Sequence, residues 1–350
     1  MGNHQGAISA IKKYIVLLPD DWNPYDSAWE IHMRAGKFDE AASYCEQALK
    51  KNADWRRFHL YIGYTLLLKR EGDEARAKFS LEGDLVPTAV VWRTRDIGCS
   101  YLFEGRYKEA QAEFKKAVEL AQKENDAEKE IFAGFNLGKM LVVQKKYDQA
   151  IKEYTQGEKL SWKVYGKSFN PVPIIAKYLI GIALVNEGDF TAAQKKAEEI
   201  KRMIQQQNFD GFYLDFYYLL LGELYTAQKK GKTAQENIDK TSGITKLYSP
   251  HYRKLAASVL ALQGEHEKAI QTYQDIYGSV EMRNYGMGDY FIFFRESSRA
   301  DYNIAKIYER MGNRSKAIEH YEKFLSLWKD ADPGIAEVED AQKRLATLRN

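Results

Sequence analysis

The sequence predicts an all-α protein, an α-solenoid of stacked helix pairs, on three observations. A small residue stands at a fixed distance before an anchor alanine along most of the chain, large apolar residues fill the places between, and a glycine often marks a turn between the two stretches. Spacings of three and four place each set on one helical face. The clearest unit runs from Val91 to Glu124, with helices expected over Val91 to Glu104 and Gly105 to Ala121. Its Gly98, Ala110 and Ala117 allow close approach of two helix axes, and Ile97, Tyr101, Tyr107 and Phe114 fill the grooves beside them.

Sliding that unit along the chain gives anchors at Ala41, Ala75, Ala110, Ala150, Ala193, Ala234, Ala269 and Ala317. Twelve residues before each lies Gly63, Gly98, Gly138, Gly181, Gly222, Ala257 or Ala305, with Trp29 as the exception. Four residues after the anchor comes, in most copies, a larger apolar residue: Phe79, Phe114, Tyr154, Ile238, Tyr273 or Tyr321. Five before it, the turn often holds a glycine: Gly36, Gly105, Gly188, Gly264 or Gly312.

Taken in order, residues 2–21 read as half a repeat: Ala7 takes the anchor place, so 2–18 form a second helix whose partner would precede Met1. The chain is therefore expected to be a piece of a longer protein, the alternative being a native cap made of one helix. Eight full repeats start near Trp22, Arg56, Val91, Ile131, Ile174, Asp215, Pro250 and Ser298. Insertions fall at 125–130, 161–173, 207–214 and 278–297, and Pro171 and Pro173 mark the second as a break in helix. Residues 332–350 read as a capping helix, with Asp332 as its N-cap and Pro333 in its first position. Ile335, Val338, Ala341, Leu345 and Leu348 form its apolar stripe, and its charged opposite face would close the end of the array.

A period near 34, with small residues at the eighth, twentieth and twenty-seventh places and aromatics between, resembles the tetratricopeptide repeat. Pro87 and Pro19 match the proline that ends the family's repeat, and the resemblance covers essentially the whole chain. It implies a right-handed superhelix of about eight helix pairs, a single domain over 1–350, whose first helices line a concave groove for a peptide or partner helix. The stretch from Ala317 to Leu345, including YEKFLSLWKDADP, resembles the end of the repeat region in large bacterial signalling proteins.

Composition narrows the function further. Charged residues make up 29% of 350 but the net charge is only +3, which gives no support for nucleic-acid or anionic-membrane partners. Cys45 and Cys99 lie in different repeats, which argues against a disulfide framework and for a reducing, cytoplasmic setting. No apolar run approaches a bilayer-spanning length. Catalytic and metal-binding patterns are wanting, so neither an enzyme nor a cofactor is expected. The six histidines lack metal-ligand spacing, and the Gly231–Lys–Thr233 triplet lacks the earlier glycine and the strand of a phosphate-binding loop.

The expected function is therefore a protein–protein interaction scaffold that holds a peptide or partner segment in the groove. The alternative is an intramolecular regulatory or sensor module for an upstream domain. Groove-facing places of the first helices supply the candidate binding residues Arg57, Tyr64, Trp92, Arg95, Phe132, Phe135, Lys139 and Tyr178. Aromatic side chains with isolated cations suit an apolar or aromatic peptide carrying carboxylates. A clamp for a terminal carboxylate is not expected: Arg95 and Asn136 fall near suitable places, but Cys99, Ile175 and Leu179 occupy the others. The run Tyr290 to Phe294 cannot be buried on one helical face. Phe291, Phe293 and Phe294 are accordingly either an interaction patch, open to a partner or to self-association, or part of a helix sandwiched on both sides.

Overall fold

The computed structural model describes residues 4–55, 57–83, 89–166, 170–207, 209, 211–276 and 290–350. Among them the chain forms nineteen α-helices, one 3-10 turn (Gly211–Tyr213) and no strand. A lone α1 (His4–Leu17) precedes α2 (Asn23–Arg34) paired with α3 (Phe38–Lys51), and α4 (Arg57–Leu68) paired with α5 (Gly72–Gly83). Then come α6 (Val90–Phe103) with α7 (Tyr107–Lys123), α8 (Ala127–Val143) with α9 (Tyr147–Tyr165), and α10 (Val172–Glu187) with α11 (Phe190–Gln207). The sixth pair is α12 (Leu214–Ala227) with the short α13 (Gly231–Ile238), followed by an extra α14 (Gly243–Tyr248). The last pairs are α15 (Pro250–Leu262) with α16 (His266–Gln274), and α17 (Tyr290–Arg310) with α18 (Arg314–Leu327), before α19 (Ala336–Arg349). Each second helix also packs on the first helix of the next pair, which makes the array an α-solenoid.

The turns inside the pairs share one geometry. Gly36, Gly105, Gly188, Gly264 and Gly312 have positive φ, and the same place in the other three repeats holds Arg70, Lys145 and Lys229, also at positive φ. In each repeat the next residue's N–H returns to a carbonyl five back, as from Glu71 to Leu66 (2.9 Å) and from Arg106 to Tyr101 (2.9 Å). This is the Schellman ending, which satisfies carbonyls that the helix leaves open. Three repeats thus keep the turn although a side chain in the left-handed region costs about 1–2 kcal/mol.

Packing within a pair is a volume exchange. All eight anchor alanines are fully buried. A Cβ on Gly63 would lie 2.4 Å from the Phe79 ring, one on Gly98 2.8 Å from Phe114, and one on Gly138 2.4 Å from Tyr154. Where the place after the anchor is small, the other partner grows. The first repeat has Cys45 there, and Trp29 fills the space, stacked on Tyr61 at 4.2 Å with its Nε1 donating to Thr65 Oγ1 at 3.0 Å. In the fifth repeat the place holds Ala197, and Leu220 of the next pair presses on Gly181 instead.

The solenoid also closes on itself. Helix α17 lies against α6, far from it in sequence. Phe294 is fully buried, its ring 5.5 Å from Tyr64 and 6.0 Å, edge-on, from Phe103. Phe291 sits 5.6 Å from Phe114. Trp328 Nε1 donates to the Phe103 carbonyl (2.9 Å) and Arg70 bonds Asp301 (3.1 Å) and the Lys323 carbonyl (2.9 Å). The expected N-cap role of Asp332 in its own helix is corrected here. Helix α19 begins at Ala336, beyond Ile335, and the Asp332 carboxylate accepts the Lys108 N–H at 2.8 Å, capping α7 across the closure. The Asp332 N–H donates to the Gly105 carbonyl (3.1 Å), which holds the carboxylate at the positive end of the α7 dipole.

Candidate protein-binding face

The eight candidate groove residues do not form one surface. Tyr64, Phe135 and Tyr178 are buried at 0%, 3% and 6% exposure. Tyr64 lies under α17, against Phe79 and Phe294, and Tyr178 packs edge-on against Phe216 (5.2 Å) and His251 (5.8 Å). Phe135 meets Tyr154 edge-on at 5.9 Å. Arg57 is exposed at the N-terminal end, its guanidinium 4.5 Å above the Trp22 ring. Lys139 is half-buried on α8.

Three of the candidates do come together. Trp92 on α6 and Phe132 on α8 are half-buried with ring centroids 6.5 Å apart, and Phe132 continues edge-on to Phe135 at 6.3 Å. The Arg95 guanidinium lies 5.1 Å from the Trp92 centroid and pairs with Asp96 at 2.7 Å. Asp96 is itself buried; burial pushes its carboxyl up, against the pull of Arg95 and of the Tyr64 hydroxyl. The result is an angled aromatic surface, its Trp92 and Phe132 rings inclined at 48°, edged by a cation that a buried carboxylate holds in place and suited to an apolar side chain beside a polar one.

Phe291, Phe293 and Phe294 are all buried at 4% exposure or less, so their apolar surface is spent inside this chain. The helix that carries them brings in a set of buried ion pairs that the sequence does not announce. Glu296, 4% exposed, sits between Arg295 and Arg299, and Arg299 reaches Glu337 of α19. Nearby, Glu223 of α12 accepts from Lys254 (2.9 Å) and lies 3.1 Å from His251 Nε2 on α15. Burial opposes the charge on Glu223, but Lys254 and His251 outweigh it and hold its carboxyl well below the ordinary range. Burial likewise opposes Glu296, and Arg295 and Arg299 reverse the balance. Burial pushes the Tyr107 hydroxyl beside them up to about 12. The charges of Glu223, Glu296 and Glu337 balance those of Lys254, Arg295 and Arg299, so the set is structural rather than a reservoir for an anion. Its sequence signal was slight: Arg295, Glu296 and Arg299 follow directly on an apolar run and share that run's helix.

A pH dependence follows. A carboxyl with a depressed folded pKa stabilises fully above its unfolded value, about 4.3, and loses that stabilisation as pH falls towards the folded value. Wild type should therefore lose thermal stability below about pH 4.3, and Glu296→Gln should differ from it most at neutral pH. The gap closes in acid, where both side chains are neutral. Melting curves from pH 7 to pH 3 test this, and a gap that stays constant would refute it.

Other candidate chemistry is plain packing. Cys45 and Cys99 are buried and unbridged, and burial pushes the Cys45 thiol well up. Gly231 to Thr233 open α13 after a helix and a turn. Among the described residues no group of three or more side chains is placed to hold a metal ion, and no helix is long and apolar enough to cross a membrane.

With the register, the turns and the volume exchange established, comparison with known proteins is direct. Models of the tetratricopeptide repeat match residues 30–88, 96–124 and 299–327. The chain carries tetratricopeptide repeats. Proteins of this fold mediate protein–protein interaction, the coarse function that the match carries here. Among solved structures, a tetratricopeptide repeat protein from Parabacteroides merdae is similar over 78% of this chain and 98% of its own, at 13% identity and a TM-score of 0.44. The Cut9–Hcn1 hetero-tetramer of APC/C is similar over 94% of this chain and 56% of its own, at 14% identity and 0.40. Pseudomonas aeruginosa pilF is similar over 73% and 99%, at 15% identity and 0.38. No functionally curated protein matches the sequence. None of these likenesses bears on what this chain binds.

Proposed function

We propose that this chain is a scaffold that binds a protein segment on the face formed by α6 and α8, with Trp92 and Phe132 as the apolar platform and Arg95 as the polar edge. The observation that carries the reading is the pair of half-buried rings 6.5 Å apart on the first helices of neighbouring repeats. Tyr64, Phe135 and Tyr178 are used up in packing, whereas Trp92 and Phe132 keep accessible surface on a rigid support. Large amphipathic rings of this kind supply most of the binding energy in protein interfaces. The ligand that fits is an apolar or aromatic segment with a carboxylate able to share Arg95 with Asp96.

A peptide display selection against the full chain tests this. Enriched sequences should combine aromatic and acidic residues, and Trp92→Ala should weaken their binding about tenfold, the scale of a buried aromatic anchor. Peptides that bind the Trp92→Ala, Phe132→Ala chain as tightly as wild type would place the site elsewhere.

A further inference from the structure

The eighth repeat reaches repeats two and three largely through its margins. One is the beginning of α17, ahead of Ser298 where the unit starts; the other is the connection between α18 and α19 that carries Trp328 and Asp332. Phe291 and Phe294 are three residues apart and so share a face of α17. That face is received by Phe114 on one side and by Tyr64 and Phe103 on the other. Two helical turns further on, Asp301 pairs with Arg70. Two rings and a carboxylate along one helix, laid on a face built from α4, α6 and α7, amount to helix-in-groove recognition inside a single chain.

The docked contact is also edged with charge. Asp301 pairs with Arg70 at 3.1 Å and Asp332 lies 3.8 Å from Lys108, both pairs partly open to water. Such a mixed contact resembles an exchangeable interface between domains more than a permanent core.

We propose that α17 is a displaceable occupant of the face formed by α4, α6 and α7. The partner that displaces it is an amphipathic helix with two large aromatic side chains three residues apart and an acidic one two turns beyond. The proposal rests on the protein-binding function above and adds a second binding face, apart from Trp92 and Phe132, on which the closed chain competes with an outside helix. The apparent affinity for such a helix scales with the fraction of molecules in which α17 is undocked.

A labelled peptide copying residues 290–310, titrated against the full chain by fluorescence anisotropy, tests the idea. Asp301→Arg in the chain alone repels Arg70 and loosens α17, while the peptide keeps its own aspartate. The folded variant should bind the peptide about tenfold more tightly than wild type does. A peptide carrying Phe291→Ala and Phe294→Ala should bind neither. Should Asp301→Arg compromise folding, Asp332→Ala loosens the closure from its other end, with the same expected gain. Equal affinity for wild type and a folded loosened variant, no binding to either, or binding indifferent to the two phenylalanines would overturn the proposal. A loosened variant that dimerises in sedimentation and ignores the peptide would also overturn it, in favour of a second copy as the occupant. Display-selected peptides that still require Trp92 while the 290–310 peptide fails to bind would end this proposal and leave the scaffold reading standing. Failure of both would remove both.

Discussion

Phe294→Ala should destabilise the protein by about 3–5 kcal/mol, the range for deleting a fully buried phenylalanine. The ring is wholly enclosed, between Tyr64 and Phe103 from repeats two and three and Phe293 from its own helix. The more telling effect is where protection is lost. In an open solenoid each repeat touches only its neighbours, so a lesion in the eighth repeat would leave the second and third unaffected. Here α17 is part of the surroundings of α6, so amide exchange should speed up in α4 and α6 as well as in α17. Tyr273→Ala is the matched control, because Tyr273 is buried with α15, α16 and α17 residues in a separate cluster. It should loosen its own neighbours and spare α4 and α6. Exchange confined to α15–α18 in both variants would mean that the closure contributes nothing to stability.

The second large effect concerns two glycines on one helix. Replacing a helical glycine by alanine ordinarily stabilises by about 0.5–1 kcal/mol. Gly134 should follow that rule, since an added Cβ meets nothing nearer than Glu153 Oε2 at 3.6 Å. Gly138, one turn on, should do the opposite. Its Cβ would stand 2.4 Å from Tyr154, a ring that is 1% exposed and backed by Phe135, so something must be forced out of place. Overpacking of that kind costs about 1–3 kcal/mol. Urea midpoints for Gly134→Ala and Gly138→Ala should therefore move in opposite directions. Midpoints moving the same way would show that the small-residue column is not a packing requirement.

These two cases also show what was legible in the sequence. The Gly138–Tyr154 contact lies within one helix pair, and a fixed spacing found in six of the eight repeats exposes it. The column of turn residues was legible in the same way, and the register extends the left-handed conformation to Arg70, Lys145 and Lys229 even though glycine is absent there. Trp29 breaks the small-residue column because its complement, Cys45, stands where most repeats carry a large residue. The closure was hidden for a different reason. Where α17 lands depends on small rotations accumulated over several repeats, and no local pattern records their sum. The run Phe291 to Phe294 announced that two faces needed cover but not that one cover would be Tyr64 and Phe103. Sequence offers Asp332 only local partners and so points to the helix that follows it, whereas its carboxylate caps α7 from across the closure. The groove positions suffered likewise: period places Tyr64, Trp92 and Tyr178 on equivalent faces, but how far each stays accessible depends on what the neighbouring repeat and α17 leave uncovered.

The closed solenoid is the claim on which the rest depends, and a zero-length carbodiimide cross-link tests it most directly. Lys108 Nζ lies 3.8 Å from Asp332 Oδ1 although the residues are 224 apart in sequence. Lys51 at the end of α3 and Asp20 in the α1–α2 connection, 3.4 Å apart, serve as the control within the same molecule. The closed structure predicts that mass spectrometry of the monomer finds the Lys108–Asp332 peptide alongside the Lys51–Asp20 one. Monomer in which Lys51–Asp20 is linked and Lys108–Asp332 is not would contradict it.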